Sequence, residues 1–148
     1  MKNTIIIGCL LSVSVIACSN SMPATDVPSV VVNSFKAKFP KATHVEWEKE
    51  GAHYEAEFDL GRVDHTAQIT PDGKITMLKK ELANSKLPGI IQATLKNKYN
   101  TYRTDDVELI EKDGATYYQV ELESNGKADM KLVLSPTGSE NPSMPFWD

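Results

Sequence analysis

Between residues 44 and 64 the chain carries His44, Glu46, Glu48, His53, Glu55, Glu57, Asp59 and Asp64, most of them two positions apart. In an extended chain, alternate residues share one face, so these side chains would crowd together on one side of a sheet. Such a set could do three things. It could be a solvated face that keeps the protein soluble. It could attract a basic partner through Glu46, Glu55 and Glu57. Or it could hold a divalent cation or small ligand with His44, His53, Glu48 and Glu57, although no spacing here matches a known ligand signature. Acid–base catalysis by a pair such as Glu46 and Glu55 would need a cleft that separates their pKa values, and an open sheet offers none. No serine sits in a nucleophile-elbow context and no glycine-rich phosphate loop occurs. The expectation is therefore a protein that is not an enzyme and uses no cofactor. A net charge of −4 argues against a nucleic-acid partner, and against binding an anionic membrane through overall charge.

The elements that position these residues come twice. Val27, Val31, Phe35 and Phe39 recur at four-residue spacing and predict a helix over 27–39, with Pro28 in its first turn and Pro40 ending it. A hairpin follows. With Glu50-Gly51 as its loop, Trp47 faces Tyr54, Val45 faces Ala56 and Thr43 faces Phe58 on the inner side. On the other side Glu48 meets His53, Glu46 meets Glu55 and His44 meets Glu57. A third strand over 62–69, after a Leu60-Gly61 loop, continues the inner face with Val63, His65, Ala67 and Ile69. His65 there reads as a hydrogen-bonded core histidine. Thr70-Pro71-Asp72-Gly73 is a turn, and a fourth strand covers 74–79.

The second copy begins at Leu87-Pro88 after a linker over 81–86. Its helix carries Leu87, Ile91, Leu95 and Tyr99, with Ser85 as a candidate cap. Lys112-Asp113-Gly114-Ala115 is its hairpin turn, placing Val107, Leu109, Tyr118, Val120 and Leu122 inward, followed by Ala128, Met130, Leu132 and Leu134. Ser135-Pro136-Thr137-Gly138 echoes the first turn, and Pro142 and Pro145 preclude a fourth strand. The same register turns Ile110, Tyr117 and Val133 outward beside Gln119 and Lys131. Aromatic and apolar residues on an open face are what interface centres are made of. The alternative is that the apolar tail Met144-Pro145-Phe146-Trp147 covers them.

Residues 1–17 form a signal peptide with Lys2 ahead of an apolar run too short to span a bilayer. Val15-Ile16-Ala17-Cys18 resembles a bacterial lipobox, in which the cysteine becomes the acylated N-terminus of the mature chain. The only other thiol, Cys9, lies in the discarded segment, so the mature protein would have no disulfide. Lipid on Cys18 would then be its sole membrane attachment. Small polar residues over 18–26 read as a tether, 27–140 as a duplicated domain with repeats 27–80 and 87–138, and 141–148 as a tail.

The duplicated order of helix, glycine-turned hairpin, third strand and turn resembles the PepSY-like domains. The resemblance rests on Val27-Pro28, Lys38-Phe39-Pro40, Val45-Glu46-Trp47, Tyr54-Glu55-Ala56-Glu57-Phe58 and Ile69-Thr70-Pro71-Asp72-Gly73, with counterparts from Leu87-Pro88 onward. These domains are also described as similar to β-lactamase inhibitor proteins, and they are common as exported proteins in gut Bacteroidetes. The resemblance implies an α+β fold of two tandem helix-plus-hairpin repeats, an antiparallel sheet with helices on one face. It further implies a binder or inhibitor of an exported protein, often a hydrolase. The alternative function is a small-ligand or metal-binding envelope protein using the acidic face. Ser19-Asn20-Ser21 contains no acidic surface-export signal of the Bacteroidetes kind. The expected location is the periplasmic face of the outer membrane, with the cell surface left open.

Overall fold

The computed structural model describes residues 21–148, so the signal peptide and Cys18 lie outside the described residues. Eight antiparallel strands form one continuous sheet in sequence order: β1 Ser21–Met22, β2 Thr43–Glu50, β3 His53–Leu60, β4 Val63–Ile69, β5 Ile75–Glu81, β6 Arg103–Lys112, β7 Ala115–Glu123 and β8 Met130–Leu134. Helix α1 spans Ser29–Lys38 and α2 spans Gly89–Lys98. This is the α+β architecture of two tandem repeats.

Both helices lie on the inner face, where periodicity places them. Val31 and Phe35 of α1, with Val27 and Phe39, pack on Trp47, Tyr54, Ala56, Phe58, Ala67 and Ile69. Phe35 is the hub: its ring meets Phe58 edge-on at 4.9 Å and Trp47 at 5.2 Å, geometries that suit the aromatic quadrupole. The second core is aliphatic, with Ile91 and Leu95 of α2 against Val107, Val120, Leu122, Leu132 and Leu134. Pro28 and Pro88 stand as N-caps, and their carbonyls accept from Val31 and Ile91 at 2.9 Å. Ser85 does not cap α2; it sits in a 3-10 turn, Asn84–Lys86, one step earlier.

The two turns that echo each other in sequence are also alike in space. Gly73 N–H donates to Thr70 O at 2.8 Å, and Gly138 N–H to Ser135 O at 2.9 Å. Each glycine has positive φ and leans on a helix. A Cβ on Gly73 would lie 2.6 Å from Ser34 Oγ and 3.1 Å from the Val30 carbonyl. One on Gly138 would lie 2.6 Å from Thr94 Oγ1. Only glycine permits this approach without displacement.

Several expected details shift. The first loop is Gly51-Ala52, so Trp47 pairs with Ala56, Glu48 with Glu55 and Glu46 with Glu57. Gly51, at φ +58°, takes the first loop position, where a type II′ turn wants glycine. The slip is by two residues, so it changes partners without changing faces. A bulge between Thr43 and Glu46, with His44 at φ +50°, turns Val45 out to 37% exposure instead of into the core. The second β-loop is Gly61-Arg62, leaving Val63 exposed at its strand end. Ala128 is exposed ahead of β8. His65 is half-buried at the core rim, stacked on Phe58, with Nδ1 donating to the Val63 carbonyl at 2.8 Å. Of the expected two-residue loops, Asp113-Gly114 is the one that keeps its place, with both residues at positive φ as a type I′ turn requires.

Residues 21–26, expected within a tether, join the fold. Ser21 and Met22 pair with Glu48 and Trp47, and Met22 packs against the first core. Their counterparts are Glu81 and Leu82, since Glu81 pairs with Glu108 and Leu82 N–H donates to Val107 O. Strand β5 thus closes the first repeat and opens the second.

Candidate functional site: the outer sheet face

The helices leave the opposite face of the sheet free, and it divides into two halves of different chemistry. In the first half Glu46 stands opposite Glu57, Glu48 opposite Glu55, and Asp59 opposite Asp64. Facing carboxylates repel across strands. Partial burial, then the charges of Glu48, Glu46 and Glu55, push Glu57 above the ordinary carboxylate range against the pull of Lys79. At the end of the array His44 Nδ1 approaches Asp59 Oδ2 at 2.6 Å. Hydrogen bonds from His44 and Asp64 hold Asp59 low, while the contact with Asp59 raises Asp64.

The alternative metal set does not assemble. His44 sits beside Asp59 at one end of the β2–β3 hairpin, and His53 pairs with Glu50 at the other. Among the described residues no three His, Cys, Asp or Glu side chains form a metal-holding group.

In the second half, Ile110, Tyr117, Gln119, Lys131 and Val133 fall on the outer face as their alternation dictates, but they are not an open patch. Ile110 and Gln119 have no exposed surface and Val133 has 7%. The C-terminal tail covers them: Met144 is buried against Ile110 and Val133, with Tyr117, Met77, Phe146 and Trp147 around them. Of the two alternatives for this patch, the covered one is what the fold adopts.

The tail is held by polar bonds as much as by apolar contact. Trp147 N–H donates to Gln119 Oε1 at 2.7 Å, and Gln119 Nε2 donates to the Trp147 carbonyl at 3.0 Å. Gln119 Nε2 also donates to Glu108 Oε2 at 2.7 Å. Lys79 donates to the Trp147 carbonyl at 3.2 Å, pairs with Glu108 at 3.2 Å, and lies 5.2 Å from the centre of the indole. Lys131 covers the Phe146 ring at 4.8 Å and pairs with Asp148 and Glu121. The indole Nε1 donates to Glu55 Oε1 at 3.0 Å, so the tail ends on the acidic half. Lys79 and Glu108 were not singled out from sequence. Their outward register was available, but Lys79 meets the tail 68 residues away, and Glu108 reaches it only through Lys79 and Gln119.

Comparison with known proteins agrees with this architecture. No curated protein matches the chain. Among solved structures, a DUF2874 family protein from Bacteroides ovatus is 20% identical, with a TM-score of 0.71 over 76% of this chain and 83% of that one. A protein from Bacteroides eggerthii named as a candidate periplasmic protein is 17% identical, with a TM-score of 0.73 over 77% and 85%. A BLIP-like protein from Bacteroides fragilis is 24% identical, with a TM-score of 0.66 over 76% and 81%. These likenesses establish the fold. The PepSY-like family, described as candidate beta-lactamase-inhibitor-like proteins, matches residues 15–79 and again 66–139, its two matches overlapping across β4 and β5. With both repeats accounted for, the chain belongs to the PepSY-like family.

Proposed function

We propose that the chain is a lipid-anchored periplasmic protein-binding module that inhibits or regulates an exported hydrolase through the acidic half of its outer face. The observation that carries this reading is the pairing of Glu46 with Glu57, both exposed, beside Glu48 with Glu55, both half-buried, Glu55 being held by the Trp147 indole at the array's edge. Like charges held opposite one another are a standing cost, which a basic partner relieves. Exposed carboxylates in contact with water suit recognition better than acid–base catalysis, which needs a dry and asymmetric site. The family description supports an inhibitory role, and the lipobox ending at Cys18 supports anchoring. No helix among the described residues is long and apolar enough to cross a membrane, so on this reading the lipid is the attachment.

The test is capture from envelope extract by the soluble form, residues 21–148, beside the same form carrying Glu46→Lys, Glu48→Lys and Glu57→Lys. A recurrent exported hydrolase held by the first and lost by the second is the expected result. Equal capture by both, or no captured protein with the domain verified as folded, overturns the reading.

A further inference from the structure

We infer that the groove around Gln119 is a receptor for an extended peptide segment of another protein, one carrying adjacent aromatic residues followed by a carboxylate, and that the chain's own tail is its resident competitor. The inference rests on the reading of the outer sheet face as the partner face. Gln119 is fully buried in β7, flanked by β6 and β8, and its amide meets both the N–H and the C=O of Trp147. A side chain placed this way reads extended backbone as an edge strand would, whatever side chains that backbone bears. An apolar residue at 119 would suffice if the tail were only a plug over Ile110 and Val133. Lys79 and Lys131 supply the rest of the recognition, each over an aromatic face, with Lys131 also on the terminal carboxylate side chain of Asp148.

The seat is built so that its occupant can leave. The apolar cluster beneath the tail is separate from the two helix-side cores, so emptying it disturbs neither. Phe146 and Trp147 remain partly exposed, and Asp148 is mostly exposed. Departure of Trp147 would also free Glu55, so filling of the groove and charge on the acidic half are coupled through one hydrogen bond.

The experiment uses a fluorescein-labelled peptide of residues 141–148 and measures polarisation against three proteins: residues 21–148, residues 21–140, and residues 21–140 with Gln119→Leu. Saturable binding to the shortened chain, at least tenfold weaker to the full one and at least tenfold weaker to the Gln119→Leu form, is expected. Absence of binding to a folded 21–140 chain, or equal binding to all three, overturns the inference. If 21–140 does not fold, the full-length Phe146→Ala/Trp147→Ala chain takes its place and must bind the peptide at least tenfold better than the unaltered chain. Sedimentation of residues 21–148 should give a monomer. A dimer that disappears on removing the tail would assign the groove to a second copy and overturn the partner-segment reading. Purified protein and peptide suffice, so failure here is distinct from failure of partner capture by the acidic half.

Discussion

The indole of Trp147 donates to Glu55 across 92 residues of sequence, joining the end of the second repeat to the acidic hairpin of the first. A hydrogen bond to a carboxylate is stronger than one between neutral groups, but this one is partly exposed to water. A double-mutant cycle with Trp147→Phe and Glu55→Ala, followed by urea unfolding, should give a coupling of about 1 kcal/mol. Additive single effects would mean the contact contributes nothing in solution.

Gly73→Ala and Gly138→Ala should each lower stability by about 1–3 kcal/mol, because both the left-handed backbone and the helix contact oppose a side chain. Gly126→Ala is the control: its φ is also positive, but nothing lies within 4 Å of the added methyl group. It should cost about 1 kcal/mol, the backbone penalty alone. Thermal melts that rank all three alike would remove the helix contact from the argument.

Truncating Phe35 to Ala removes the hub of the aromatic core and should cost about 3–5 kcal/mol. The outward Val45→Thr change, at a site of 37% exposure, should shift stability by less than about 0.5 kcal/mol. Comparable losses in urea titrations would return Val45 to the core and remove the bulge.

Glu57 has a folded pKa above its unfolded value. The folded state therefore binds the proton more tightly, and stability falls as pH rises from the ordinary carboxylate range through the raised pKa. Glu57→Gln should flatten that part of the pH–stability curve and leave the protein more stable at neutral pH. An unchanged curve would show that neither partial burial nor the neighbouring carboxylates act on it. Asp59 has the opposite sign, losing its contribution as pH falls through its lowered pKa, so the two effects separate by direction.

Cys18→Ala should move the protein from the detergent phase to the aqueous phase on Triton X-114 partition and abolish palmitate labelling. On the proposed anchoring, several acyl chains on one cysteine would hold the protein stably, and no helix among the described residues is long and apolar enough to replace them. Retention in the detergent phase would overturn lipid anchoring at this residue.

The sequence revealed faces better than partners. Four-residue apolar spacing marked Val31, Phe35, Ile91 and Leu95, and period-two alternation put Glu46, Glu48, Glu55 and Glu57 on one side, because each signal depends only on spacing within its own segment. The pairing itself depends on which loop residue takes positive φ. Glu50-Gly51 and Gly51-Ala52 look alike in composition, whereas Asp113-Gly114 has one reading only. The bulge at His44 was hidden because its left-handed residue is not glycine. Strand β1 was hidden for another reason: Ser21 and Met22 have little strand character and pair because Trp47 offers an open edge. The acidic half could thus be read locally. The covering of Ile110, Tyr117 and Val133 by the tail stood as one of two alternatives, but the bonds that fix it were not legible, since Gln119 and Trp147 meet only after the sheet has formed.

Strand β5 belongs to both repeats, with β4 on one side and β6 on the other. The molecule therefore has no seam at which its halves could be parted. Scission on either side of β5 would strip one half of a strand and leave the other with a raw hydrogen-bonding edge. The same shared strand makes the fold extensible. Inserting one more helix and four strands after Leu82 would widen the sheet by about 19 Å while leaving every existing pairing type intact. In that sense two repeats are a count, and the unit that evolution can add or remove is the span from one shared strand to the next.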